Sequence, residues 1–146
     1  MNDPSDAYIF DSFALLAYLE DEVSAGRVAT LLRKAEEGKH HIWMSIINLG
    51  EVLYIVEREQ NALAVRKTLA AVEQLPIEIV DADRTLALAA AHLKANFAIS
   101  YADAFAVALG QEKRACIATG DPEFKQVEKL VPIEWLERTD FQRKSL

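Results

Sequence analysis

Five short apolar runs recur along this chain between longer stretches of helical periodicity, and that alternation leaves few folds open. Ala7 to Phe10, His41 to Met44, Ile77 to Val80, Ala115 to Thr119 and Pro132 to Glu134 have the length and composition of strands. Helical patterns lie near residues 12 to 20, 23 to 38, 45 to 58, 61 to 74, 82 to 96 and 100 to 111. Helices inserted between successive strands act as crossovers, so the expectation is an α/β fold with a mostly parallel central sheet. Ser12, Ser45 and Asp81 follow the first three runs and read as helix caps.

With 146 residues, 51% of them hydrophobic, the chain has material for one domain with an ordinary core, taken here as residues 1 to 146. Repeats, low-complexity tracts and linkers are absent, and Gln142 to Leu146 read as a frayed end. Asn48, Glu51, Lys94 and Asp103 interrupt the apolar segments, so no membrane span is expected. Residues 1 to 26 carry no Lys or Arg, which argues against a basic leader, and the lone Cys116 fits a reducing, cytoplasmic setting. The formal charge of −7 disfavours a general nucleic-acid binder held by a basic surface. It leaves room for a nuclease, because bound divalent ions would cancel about four negative charges where phosphate must approach.

Four acids stand where a carboxylate has poor structural reason to be. Asp11 ends the first apolar run, with no basic residue before Arg27 to pair with. Glu51 has Ile47, Asn48, Tyr54 and Ile55 as its helical neighbours. Asp103 lies in an alanine-rich stretch without Lys or Arg from Ala95 to Glu112, and Asp121 follows the strand that ends at Thr119. Each has an ordinary explanation: a cap at Asp11, a surface Glu, a capping box from Ser100 to Asp103, a Gly-Asp-Pro turn at Asp121. Taken together, unpaired carboxylates at strand ends are explained economically by a shared cation, and oxygen donors call for Mg²⁺ or Mn²⁺. His40, His41 and His92 read as structural or surface residues, Trp43 and Trp135 as core or interface anchors, and Cys116 as a small strand residue. No Ser-His or Cys-His constellation is present.

Phe10-Asp11-Ser12, Ser45 to Val52, Ser100 to Ala104 and Thr119 to Phe124, in that order, resemble the PIN-domain ribonucleases, and more narrowly the VapC-type toxins of prokaryotic toxin–antitoxin pairs. The likeness spans roughly residues 7 to 136. It implies a three-layer α/β/α domain that binds one or two Mg²⁺ or Mn²⁺ ions and cuts RNA. It places the family's acids on Asp11, Glu51, Asp103 and Asp121 as catalytic and metal-binding residues, with Ser12 and Thr119 supporting them. It also implies an antitoxin protein as partner and a homodimer, for which Leu15 to Leu19 and Val52 to Val56 could supply an apolar surface or could be plain core. The chain departs from many members in having Ser12-Phe13 after the first Asp and in its acidity. Two other readings are a catalytically silent PIN-like module that binds RNA or protein, and a metal-dependent phosphatase. The phosphatase needs a second Asp two residues after the first, where this chain has Phe13.

Overall fold

Ala7, Tyr8, Ile9 and Phe10 are all buried, as a strand in the middle of a parallel sheet requires when helices cover both of its faces. In the computed structural model, which describes residues 6 to 138, this strand, β1 (Ala7–Phe10), is the centre of a five-stranded sheet. β2 (His41–Ser45) and β4 (Cys116–Thr119) flank it, while β3 (Glu78–Val80) and β5 (Ile133–Trp135) form the edges. The order is β3-β2-β1-β4-β5, and every pairing is parallel. The edge strands have three residues each, which leaves little open backbone as a template for mispairing.

Alternation along the strands divides the core into two parts. Tyr8, Phe10, Ile42 and Met44 face α1 (Ser12–Leu19), α2 (Ala25–Glu36), α3 (Ile46–Glu59) and α4 (Ala62–Glu73). Ala7, Ile9 and Ile117 face α5 (Arg84–Asn96), α6 (Tyr101–Lys113) and the 3₁₀ segment Pro122–Val127. The α/β/α layering is therefore present as expected. Leu15, Leu16, Val52, Ile55 and Val56 belong to the first core, so most of the two stretches considered as docking surfaces is interior. Trp135 is exposed and lies outside the core. His41 stacks on Trp43 at 3.8 Å and meets Glu78 at 3.1 Å, a surface arrangement. The frayed end expected at Gln142 to Leu146 lies outside the described residues.

One expected cap moves and one choice is resolved. Of the two candidates before α1, Asp11 rather than Ser12 is the cap and accepts the Ala14 N–H, while Asp83, not Asp81, caps α5 by accepting that of Leu86. In both cases the cap is the extended residue whose side chain reaches the N–H three positions on, a choice made by backbone geometry. Ser45 caps α3 as expected.

The strand order decides where a ligand can go. From β1 the chain builds outward through β2 and β3, then returns to lay β4 on the other side of β1. The order thus reverses between β1 and β4, and the crevice beyond their carboxyl ends is the switch point at which open α/β sheets bind ligands. Asp11 and Asp121 follow those two strands.

Candidate metal centre

Register puts Phe10 beside Ala118, so the residues after them, Asp11 and Thr119, emerge side by side. The Thr119 hydroxyl donates to Asp11 Oδ2, and the Ala14 N–H donates to Oδ1 at 2.9 Å. Both residues are buried, and Asp11 is not in the lining of the crevice, though it lies close enough to Asp103, Asp121 and Glu51 for their charges to act on one another. Thr119 serves both sides, since its Oγ1 also accepts the Asp121 N–H at 3.0 Å.

α3 and α6 bring the next two acids. Glu51 is half-buried and accepts a 2.5 Å hydrogen bond from the Ser12 hydroxyl, which ties it to the start of α1. Its apolar helical neighbours are not all interior: Ile46, Ile47 and Tyr54 are exposed, so Glu51 faces the open rim of the crevice. Asp103 sits in the first turn of α6, whose run from Asp103 to Gly110 is entirely buried. Asn48, also fully buried, donates from Nδ2 to the Ala102 carbonyl at 3.1 Å and so fastens α3 to the turn that carries Asp103.

The capping box expected at Ser100 is half made. Ser100 accepts the Asp103 N–H at 3.1 Å, but the Ser100 N–H donates to Glu123 at 3.3 Å. Glu123 thereby frees the Asp103 carboxylate for the crevice and enters it itself. Glu123 is also held through its own N–H, which donates to Asp121 Oδ1 at 2.9 Å. As a result, one carboxylate oxygen each from Asp103, Asp121 and Glu123 lie within 4.8 Å of one another. Sequence reasoning missed Glu123; the available signal was an acid two residues after Asp121, which reads as an ordinary first-turn residue. The resulting cavity is about 500 Å³ and is lined by Ser12, Glu51, Ser100, Asp103, Asp121, Pro122, Glu123 and Arg138.

The electrostatics are those of a site short of positive charge. Burial pushes the Asp11 carboxyl up to about 7, against the lowering effect of its two hydrogen bonds, with Asp121 and Glu51 adding repulsion. Asp103 is pushed up as well, first by burial, then by a proton shared with Glu123 and by the charges of Asp11, Asp121 and Glu123. The fit to a metal is good on donor chemistry: oxygen donors converge without sulfur or nitrogen, which suits a hard divalent ion.

A folded-state pKa above the unfolded one means that the folded chain holds its proton longer, so stability is lost as pH rises from about 4 through about 7. In EDTA the melting temperature is therefore expected to fall by about 5 to 10 °C between pH 5.5 and pH 8. Saturating Mn²⁺ should remove most of that fall. Scanning calorimetry checks this, and a flat profile in EDTA would contradict it.

Residues 8–130 match the family model of the PIN domain. The fold is similar to that of VapBC2 from Rickettsia felis bound to a DNA fragment from its promoter, with a TM-score of 0.69 and 18% identity over 90% of this chain and 99% of that one. It is similar also to a toxin–antitoxin complex from Klebsiella pneumoniae, with a TM-score of 0.67 and 16% identity over 90% and 99% of the two chains. A third likeness is to VapC20 from Mycobacterium tuberculosis, a sarcin–ricin-loop-cleaving toxin, with a TM-score of 0.65 and 16% identity over 81% and 92%. No curated protein matches the sequence.

Proposed function

The chain belongs to the PIN domain family, and from that premise we propose that it is a metal-dependent endoribonuclease, the VapC-type toxin of a toxin–antitoxin pair. The observation that carries the reading is the convergence of Asp103, Asp121 and Glu123, near the hydrogen-bonded carboxylate of Asp11 at the switch point of the sheet. Solved toxin–antitoxin assemblies of the same fold support the toxin assignment and an antitoxin partner.

In this reading Asp103, Asp121 and Glu123 would hold Mg²⁺ or Mn²⁺, with Asp11 and Glu51 as the further acids of the site. The chemistry such a cation supplies when bound is polarisation of a phosphoryl oxygen and activation of a water. The protein's part is to keep the carboxylates in place. Thr119 and Ala14 hold Asp11, Ser12 holds Glu51, and Ser100 holds the turn that carries Asp103. Phe13, where a phosphatase of the aspartyl-phosphate type needs its acid, is a buried ring and can move no proton. A single domain over residues 1 to 146, a homodimer and a cytoplasmic setting belong to the same proposal. Among the described residues no helix is long and apolar enough to cross a membrane.

Incubation with structured RNAs and with para-nitrophenyl phosphate, each in Mn²⁺ and in EDTA, tests the reading. RNA should be cut in Mn²⁺ alone and the monoester left intact. Turnover of the monoester beside intact RNA would sink it.

A further inference from the structure

The cavity that gathers Glu51, Asp103, Asp121 and Glu123 is lined by one cation among the described residues, Arg138, and the fold holds that residue's segment in place. Two residues earlier, Leu136 is buried and its N–H donates to the Thr119 carbonyl at 2.9 Å, so the chain leaving β5 is fastened across the end of β4. Gly120 allows the close approach. A Cβ there would lie 2.6 Å or less from the Phe13 ring and 2.9 Å from the Leu136 carbonyl oxygen, so only a residue without a side chain admits the crossing segment. The segment carrying Arg138 is thus packed against the residue that precedes Asp121, and Arg138 lines the cavity.

Arg138 forms no ion pair among the described residues, although four carboxylates line the same cavity. A guanidinium that served to neutralise the acids would be paired with one of them. Without an ion pair among the described residues, it offers a planar fork of donors to an anion that enters the cavity, and a phosphate presents matching oxygens. The chain has need of such a group, because a molecule of formal charge −7 attracts a polyanion poorly. We propose that Arg138 is a substrate-binding residue, a clamp for a phosphate of single-stranded RNA brought to the acidic centre. The inference rests on the nuclease reading and adds to it the residue that receives the backbone.

The test compares wild type, Arg138→Ala and Arg138→Lys by fluorescence anisotropy with a short single-stranded RNA in Ca²⁺, by cleavage kinetics in Mn²⁺, and by Mn²⁺ calorimetry without RNA. Arg138→Ala should weaken RNA binding and raise KM by roughly ten- to a hundredfold, as loss of a hydrogen-bonded charge does. Its plot of log affinity against log salt should be shallower by about 0.7, the share of one phosphate on a single strand. Arg138→Lys should recover the salt slope but only part of the affinity, and Mn²⁺ affinity should be equal in all three proteins. RNA binding, salt slope and cleavage unchanged in Arg138→Ala would overturn the clamp while leaving the nuclease reading intact. Tighter Mn²⁺ binding with faster cleavage would overturn it too, and would make Arg138 an internal counter-ion. A folded, Mn²⁺-loaded wild type that neither binds nor cuts RNA would remove the nuclease reading, and the clamp with it.

Discussion

Asp103→Asn is expected to reduce RNA cleavage by about a thousandfold or more while leaving the metal-free protein as stable as before. Asp103 is buried in the first turn of α6, next to Asp121 and Glu123, and without a cation its carboxyl keeps a proton because burial and the neighbouring acids disfavour its charge. Asparagine reproduces that neutral form in size and polarity, so melting in EDTA at pH 7 should change little. What it cannot reproduce is a charged oxygen for a divalent ion, and losing such charge costs several kcal/mol of transition-state stabilisation. The two states separate on addition of metal. Mn²⁺ at about a hundred times its Kd stabilises the wild type by about 2.7 kcal/mol and should leave the variant nearly unaffected. Thermal melts with and without Mn²⁺, beside cleavage assays, decide it. A strongly lowered melting temperature in EDTA with cleavage retained per folded molecule would show that Asp103 is a structural acid.

Gly120→Ala is expected to be the most damaging small substitution near the site, costing about 3 kcal/mol. Its Cβ would lie 2.3 Å from the nearest Phe13 ring atom and 2.9 Å from the Leu136 carbonyl oxygen. Neither neighbour yields easily: Phe13 is buried in the first core, and the carbonyl belongs to a residue whose N–H is bonded to Thr119. The crossing segment must lift, and Arg138 and Asp121 move with it. Urea unfolding should show a lower midpoint with an unchanged slope. Gly110→Ala is the control, since its Cβ comes no closer than 3.0 Å, to a Val131 methyl rather than to backbone. Equal midpoints for the two variants would refute the close-approach argument.

The layers were legible because short apolar runs between helical stretches can hardly be anything but parallel strands covered by those helices. Asp11, Glu51, Asp103 and Asp121 stood out because each interrupts an apolar context or ends a strand, and the structure brings all four to one end of the sheet. Glu123 did not stand out, because its role depends on a 3₁₀ turn that swings it back to the Ser100 N–H, a contact across 23 positions. Arg138 lies in a short polar stretch with no periodicity, and only the crossing over Gly120 gives it a place. Asp11 and Ser12 were both offered as caps for α1, and the cap of α5 was placed at Asp81 rather than Asp83, because several good cap residues stand close together and the backbone selects one. At Glu51, apolar neighbours suggested burial, yet Ile46, Ile47 and Tyr54 face outward. Residue type alone does not tell a core helix from one that lines a rim.

The hydrogen bond from Thr119 to Asp11 closes a loop of 108 positions. During synthesis β1 is made before β2, β3 and the helices α1 to α6, and β4, its second neighbour, only after them. Domains fold as the chain emerges, N-terminal parts first, but the contact of Asp11 with Thr119 cannot exist until β4 has left the ribosome. A nascent chain, even one that has completed α6, has Asp11, Glu51 and Asp103 without the strand that aligns them with Asp121. For a chain read as an RNA-cutting toxin, this topology withholds the assembled centre until β4 has been made, so products that stop short of β4 are released without it.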